Sequence, residues 1–175
     1  MSLTEIVWGV VGATLMFWAV GAYNRLVRLR AAIVRRFAPV HEQFTHRHTL
    51  LLRQRVALEA ALPNAGPRLE ALRAACQQAD AACAQARLRP GATRTIAHLR
   101  LAEHSLVEAR ARLPVQSIAG VDLAALNAEL GASDATLAFA RQQFNAAVDD
   151  YNRAVRQFPT VLIVGLFGFR AAATL

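Results

Sequence analysis

The side chains of this chain that could ligate a metal or act as acid, base or nucleophile are His41, His46, His48, His98, His104, Cys76, Cys83 and the neighbouring Asp149 and Asp150. A metal site on a helix wants two imidazoles three or four residues apart with a carboxylate beside them. His41 and His48 are one heptad apart and His46 and His48 fall on different faces, so neither pair converges. The histidines read as exposed or half-buried polar residues. Cys76 and Cys83 are also a heptad apart, an axial distance of about 10 Å on a helix and too far for a disulfide between them. They read as small buried hydrophobes, free thiols of a reducing compartment. Asp149 and Asp150 read as a solvated acidic pair. No glycine-rich phosphate loop, Ser/His/Asp ordering or Cys-x-x-Cys accompanies them. The expectation is a protein that is no enzyme, with no metal, no cofactor and no small-molecule substrate.

A second set of polar residues has a better-defined placement. Tyr23 to Arg30 reads YNRLVRLR, and 128 positions later Tyr151 to Phe158 reads YNRAVRQF. If the intervening chain goes out and back as helices, Tyr23, Asn24, Tyr151 and Asn152 meet at one end of a bundle. There they could pair with one another across the first and last helices.

The elements that would place them start with residues 6–22, IVWGVVGATLMFWAVGA, which carry no charge. With Leu3 and Tyr23 at the margins, the stretch approaches the roughly 20 residues an α-helix needs to cross a bilayer. The short acidic MSLTE segment before it and the bulky Tyr23 and arginines after it do not fit a cleavable signal. Arg25, Arg28, Arg30, Arg35 and Arg36 follow within about 15 residues, the window that sets orientation. That bias predicts a single-pass inner-membrane protein with its N-terminus outside and its bulk cytoplasmic. The net charge of +8 is concentrated in the same place: residues 23–56 hold eight arginines against Glu42 alone, a balance of +7. Membrane topology and anionic headgroups account for such a cluster, so the charge argues against nucleic acid as the partner. All 20 basic residues are arginine, and alanine is abundant, a composition that reflects codon bias more than guanidinium chemistry.

Beyond the span, apolar residues recur at heptad spacing. A first long helix, 24–62, carries Leu26, Ile33 and Val40 interleaved with Phe37, Phe44, Leu51 and Leu58; Pro39 predicts a kink within it. A turn at 62–67 contains two prolines and a glycine. A second helix, 68–89, carries Leu69, Leu72, Cys76, Ala79, Cys83 and Ala86. A third, 93–113, turns Ile96, Leu99, Leu106, Ala109 and Leu113 inward. A fourth, 122–158, has Asp122 as its N-cap and carries Leu123, Leu130, Leu137, Phe144, Tyr151 and Phe158, supported by Leu126, Ala140, Val148 and Val155. Helices one and four match in length, roughly 58 and 55 Å. The expected fold is all-α: a transmembrane anchor at 1–23, an antiparallel up-down-up-down bundle of long helices at 24–159, and an apolar tail at 160–175. The tail begins with ten uncharged residues, too few to span. It reads as an interfacial or bundle-capping segment, with contact to lipid or a partner preferred over internal packing.

The C-terminal stretch resembles the LemA family of membrane proteins. Phe144-Asn145-Ala146-Ala147-Val148, Tyr151-Asn152, Val155-Arg156, Phe158-Pro159 and Leu166-Phe167-Gly168-Phe169 follow the family's order and spacing. Glu129-Leu130, Ala140-Arg141 and, near the N-terminus, Tyr23-Asn24, Leu26-Val27 and Leu29-Arg30 are similar too. In the first long helix the chain reads VHEQFTHRHTLLLRQRV, keeping Gln43, Arg47 and Leu50 but lacking the family's usual Asp and Pro-Asn pair; a YPDLKA-like element is replaced by ARLPVQSIAGVDL. It thus looks like a divergent member. The resemblance implies a short external N-terminus, a membrane anchor and a long-helix bundle, in bacterial or magnetosome membranes, and no transferable activity.

Two functional expectations follow. The leading one is a membrane-anchored scaffold or adaptor that binds a protein partner or itself. The other is a lipid-binding or membrane-remodelling protein that uses the juxtamembrane arginines and the apolar tail. Both put the candidate interaction residues at the membrane end: Tyr23, Asn24, Arg25, Arg28, Arg30, Tyr151, Asn152, Arg156, Phe158, Pro159, Phe167, Gly168 and Phe169.

Overall fold

The structure, a computed structural model, describes residues 2–61, 66–113 and 123–175. Five α-helices make it up: α1 Leu3–Ala61, α2 Gly66–Leu88, α3 Thr93–Ala111, α4 Leu123–Arg156 and α5 Thr160–Phe167. No strand occurs among the described residues. The all-α bundle with a long apolar N-terminal helix is as expected. Asp122 and residues 62–65 of the expected 62–67 turn lie outside the described residues, and the turn's Gly66 and Pro67 already belong to α2.

The anchor segment and the first long helix are a single element. α1 runs 59 residues through Pro39 without ending. A proline costs the helix one hydrogen bond, but Phe37 and Val40 on either side are buried, and that packing holds the helix together across it. The first part of α1 has a mean hydropathy of 1.7 over 18 residues, and none of that window is buried. Ile6, Val7, Val10, Val11, Leu15, Met16 and Phe17 all face outward. α1 is long and apolar enough to cross a membrane, and its apolar surface is left for something other than this chain to cover.

From Leu26 onward the heptad positions turn inward. Leu26, Ile33, Phe37, Val40, Leu51 and Leu58 of α1 meet Leu130, Leu137, Phe144, Val148 and Tyr151 of α4, all nearly inaccessible. Phe37 and Phe144 cross edge to face at 5.5 Å, a favoured aromatic geometry. α2 packs against α1 and α3 through Cys76, Ala79, Cys83 and Ala86, and these small side chains let the backbones approach closely. Phe158 breaks the α4 series. The helix stops at Arg156, so Phe158 leaves the heptad face and is 76% exposed.

α3 and α4 do not come into close backbone contact, although each packs well on its other neighbour. The short hairpin therefore sits on α1 and leaves a seam along α4. Two things cross that seam: a network of charged side chains halfway along, and the last eight residues of the tail.

Candidate functional site

The end of the bundle nearest the apolar part of α1, called here the proximal end, gathers both YNR segments, α5 and residues 168–175. α5 ends at Gly168, whose φ of 66° is the left-handed conformation that glycine adopts without penalty. Beyond it the chain runs as an extended strap along α4. Asn152 reads the strap's backbone twice: its Nδ2 donates to the Ala172 carbonyl at 2.9 Å, and its Oδ1 accepts from the Ala172 N–H at 2.8 Å. Asn145 does the same to Leu175, at 2.8 and 2.7 Å. The match is one of pitch. Seven helical residues advance about 10.5 Å, and three extended residues about 10 Å. Two asparagines a heptad apart thus meet strap residues three apart. The Tyr151 hydroxyl adds a bond to the Arg170 carbonyl at 3.0 Å; burial raises its pKa, against the lowering influence of Arg30.

On its other side, the strap's Ala173 N–H donates to the Gly91 carbonyl at 2.9 Å. Gly91, in the α2–α3 turn, has a φ of 94°, and a Cβ there would lie 3.2 Å from that of Ala172. The positive φ favours glycine there, and the close approach of Ala172 adds to the preference. Phe169 packs against the core while touching Tyr23, whose ring also meets Phe167, with centroids 5.8 and 5.1 Å apart.

The expected convergence of Tyr23, Asn24, Tyr151 and Asn152 therefore takes a different form. They share one end, but Tyr23 packs at an angle against the tail's phenylalanines while Tyr151 and Asn152 bond to the strap. Asn24 is exposed. Among the described residues the one hydrogen bond joining the two copies is Arg25 Nη1 to Gln157 Oε1, at 3.4 Å. Arg28, Arg30 and Arg156 are exposed around them, with Phe158 exposed and Pro159 half-buried at the turn into α5. The tail divides between the two roles weighed for it. Leu162, Leu166 and Phe167 of α5 face outward, whereas Phe169, Ala172, Ala173 and Leu175 pack on the bundle.

The charged network is the feature that the sequence reading missed. Arg47 pairs with Glu103 at 3.0 Å and lies 2.8 Å from Asp134, and Arg110 pairs with Asp134 at 2.8 Å. Arg141 pairs with Glu103 and lies over the Phe44 ring, 5.3 Å from its centroid. Three arginines face two carboxylates. Burial, reinforced by the like charge of Arg47, lowers the Arg141 pKa to about 10, so it stays charged at neutral pH. Arg47 is lowered too, by burial, against the attraction of Asp134. The signal was available: Glu103 stands four residues after Leu99 and three before Leu106, an inward position on α3.

Cys76 and Cys83 are buried and free. Burial pushes their pKa values up to about 11 and about 12. His41 Nδ1 is 3.3 Å from the Cys83 sulfur, but a thiol held neutral by burial is no activated nucleophile. Among the described residues no three His, Cys, Asp or Glu side chains come together as a metal site would need.

The sequence profile of the LemA family matches residues 36–175. The chain belongs to the LemA family. The matched stretch begins within α1, past its apolar part, and takes in the charged network, the second YNR copy, α5 and the strap. The LemA assignment thus covers most of the bundle and most of the proximal site. No curated protein matches the chain.

Proposed function

We propose that this LemA-family protein is a non-enzymatic scaffold, anchored in the inner membrane by the start of α1, with its N-terminus outside and its bundle in the cytoplasm. The observation that carries the reading is the continuity of α1. One helix exposes an uncharged, largely apolar surface over residues 6–22 and then becomes the spine of the core. Such a helix rigidly couples whatever the bundle holds to the bilayer. The arginines from Arg25 to Arg36 support the orientation, and the long exposed faces of α3 and α4 are suited to a protein partner or a second copy. The test is alkaline extraction of membranes, followed by crosslinking of the full chain in intact membranes from benzophenone placed at Leu101 and Phe139. Retention in the pellet, with a defined crosslink to one protein or to itself, is expected. Release into the supernatant would contradict the reading.

A second reading is favoured by α5. Leu162, Leu166 and Phe167 are exposed beside Tyr23 at the foot of the span, with arginines around them. This is the pattern of a helix lying in a membrane interface. In that case the protein binds or reshapes lipid through α5 and the juxtamembrane arginines. Replacing Leu166 and Phe167 by serine would then reduce vesicle deformation by the full chain; unchanged deformation would sink the idea. Phe169 is the wrong residue for this test, because it packs inward.

A further inference from the structure

A cavity of about 740 Å³ opens at the proximal end between α1, the α2–α3 turn and the strap. Four arginines line it, each from a different part of the fold: Arg30 on α1, Arg89 after α2, Arg94 in the first turn of α3, and Arg170 on the strap. Among the described residues no carboxylate lines it, and none of these four has a carboxylate within 4.0 Å, a lack they share with nine other arginines. What sets the four apart is that they converge on one cavity. Four like charges brought to one cavity repel, and an anion between them turns that repulsion into attraction. The start of α3 adds to the positive field, since its N-cap is Ala92 and no side chain caps the first N–H groups. Ile33, Val34, Leu88 and Phe169 supply apolar wall beside the charges.

We propose that this cavity is a binding site for a phosphate-bearing anion, which the guanidinium forks match in geometry. Two sources share that chemistry: the headgroup of an anionic phospholipid, and free phosphate. Arg30 lies seven residues past Tyr23, about 10.5 Å along the helix, which is within an arginine side chain's reach of the headgroup layer. The lipid source rests on the membrane-anchor reading; the soluble source does not.

The experiment uses the full chain in neutral detergent micelles, titrated with phosphatidylglycerol, phosphatidylcholine and inorganic phosphate, with bound species read by native mass spectrometry. A cavity variant, Arg89→Gln with Arg94→Gln, is compared with Arg53→Gln with Arg68→Gln, two exposed arginines at the opposite end. Circular dichroism checks that each variant keeps its helices. Preferential binding of phosphatidylglycerol that falls about tenfold in the cavity variant alone, as expected for the loss of charge-assisted bonds, supports the site with a lipid source. Binding of inorganic phosphate with the same pattern, and no preference between the lipids, supports it with a soluble one. If neither probe distinguishes the cavity variant from the parent chain, the proposal is overturned. Carbonate extraction of the same variants from membranes reports separately on the anchor.

Discussion

α4 has two faces that are built on opposite principles. Toward α1 it presents Leu130, Leu137, Phe144, Val148 and Tyr151 to an equally apolar partner, and the two helices close on each other. Toward α3 the helices stay apart, and the gap is bridged by Arg47, Glu103, Asp134, Arg110 and Arg141, and further down by a strap held through Asn145 and Asn152. The first face gains from non-directional burial and tolerates no water. The second depends on directional bonds to specific atoms. The closed face joins the bundle to the apolar part of α1, and the bridged one holds the segments that differ from a plain bundle, namely the strap and the α5 helix it positions.

The comparison breaks most visibly at Phe144, fully buried and edge to face with Phe37. Phe144→Ala should cost about 3–5 kcal/mol, a combined transfer and cavity penalty, read as the shift in urea midpoint of the full chain in detergent. On the bridged face, Glu103→Gln leaves Arg47 and Arg141 short of their shared counter-ion. It should cost about 3 kcal/mol, the low end for breaking a buried pair because the network is partly wet. Replacing Arg47, Glu103 and Arg141 together by Met, Leu and Met should recover most of that loss, since apolar substitutes for buried charges are often neutral. A triple variant as unstable as Glu103→Gln would show that the bridged face needs its charges for more than pairing.

Asn152→Ala should cost roughly 1–3 kcal/mol locally, because the Ala172 N–H and carbonyl both lose their partner. Hydrogen exchange at 171–175 should accelerate while that of the Phe37 and Phe144 region is unchanged; equal acceleration in both would mean the two faces are not independent. The smallest effect concerns pH. The thiols of Cys76 and Cys83 are raised in the folded chain to about 11 and about 12, so the folded state holds their protons longer than the unfolded state. Their contribution is whole below the ordinary thiol pKa of about 8.5 and is lost as pH rises beyond it. The urea midpoint should therefore fall between pH 8 and about 10, and a Cys76→Ala, Cys83→Ala chain should lose that part of the dependence.

The two faces also differ in how far they can be read from sequence. The closed face was legible in nearly every position: every heptad residue assigned to α1 is buried, as is each one on α4 up to Tyr151 apart from the supporting Leu126, which is half-buried. Periodicity reports burial directly, because an apolar stripe has one stable place to go. It failed at Phe158, where the chain turns and the period no longer applies. The bridged face was legible only as location. The YNR copies disclosed that the two ends meet, but not that Asn152 would bond to Ala172, since an asparagine that reads a backbone looks in sequence like any polar residue on a helix. Arg47 and Arg141 stood within the family resemblance with no partner to identify them; pairing across helices follows from their rotation and separation, which composition does not encode.

The account turns on α1 being both membrane span and bundle spine. The most direct test is cysteine accessibility in intact cells, on a Cys76→Ala, Cys83→Ala chain carrying either Ser2→Cys or Phe139→Cys, with a membrane-impermeant maleimide. Position 2 precedes the apolar stretch, and position 139 is exposed on α4. The account predicts labelling at position 2 in intact cells and at position 139 only after lysis. Labelling at position 139 in intact cells would contradict it.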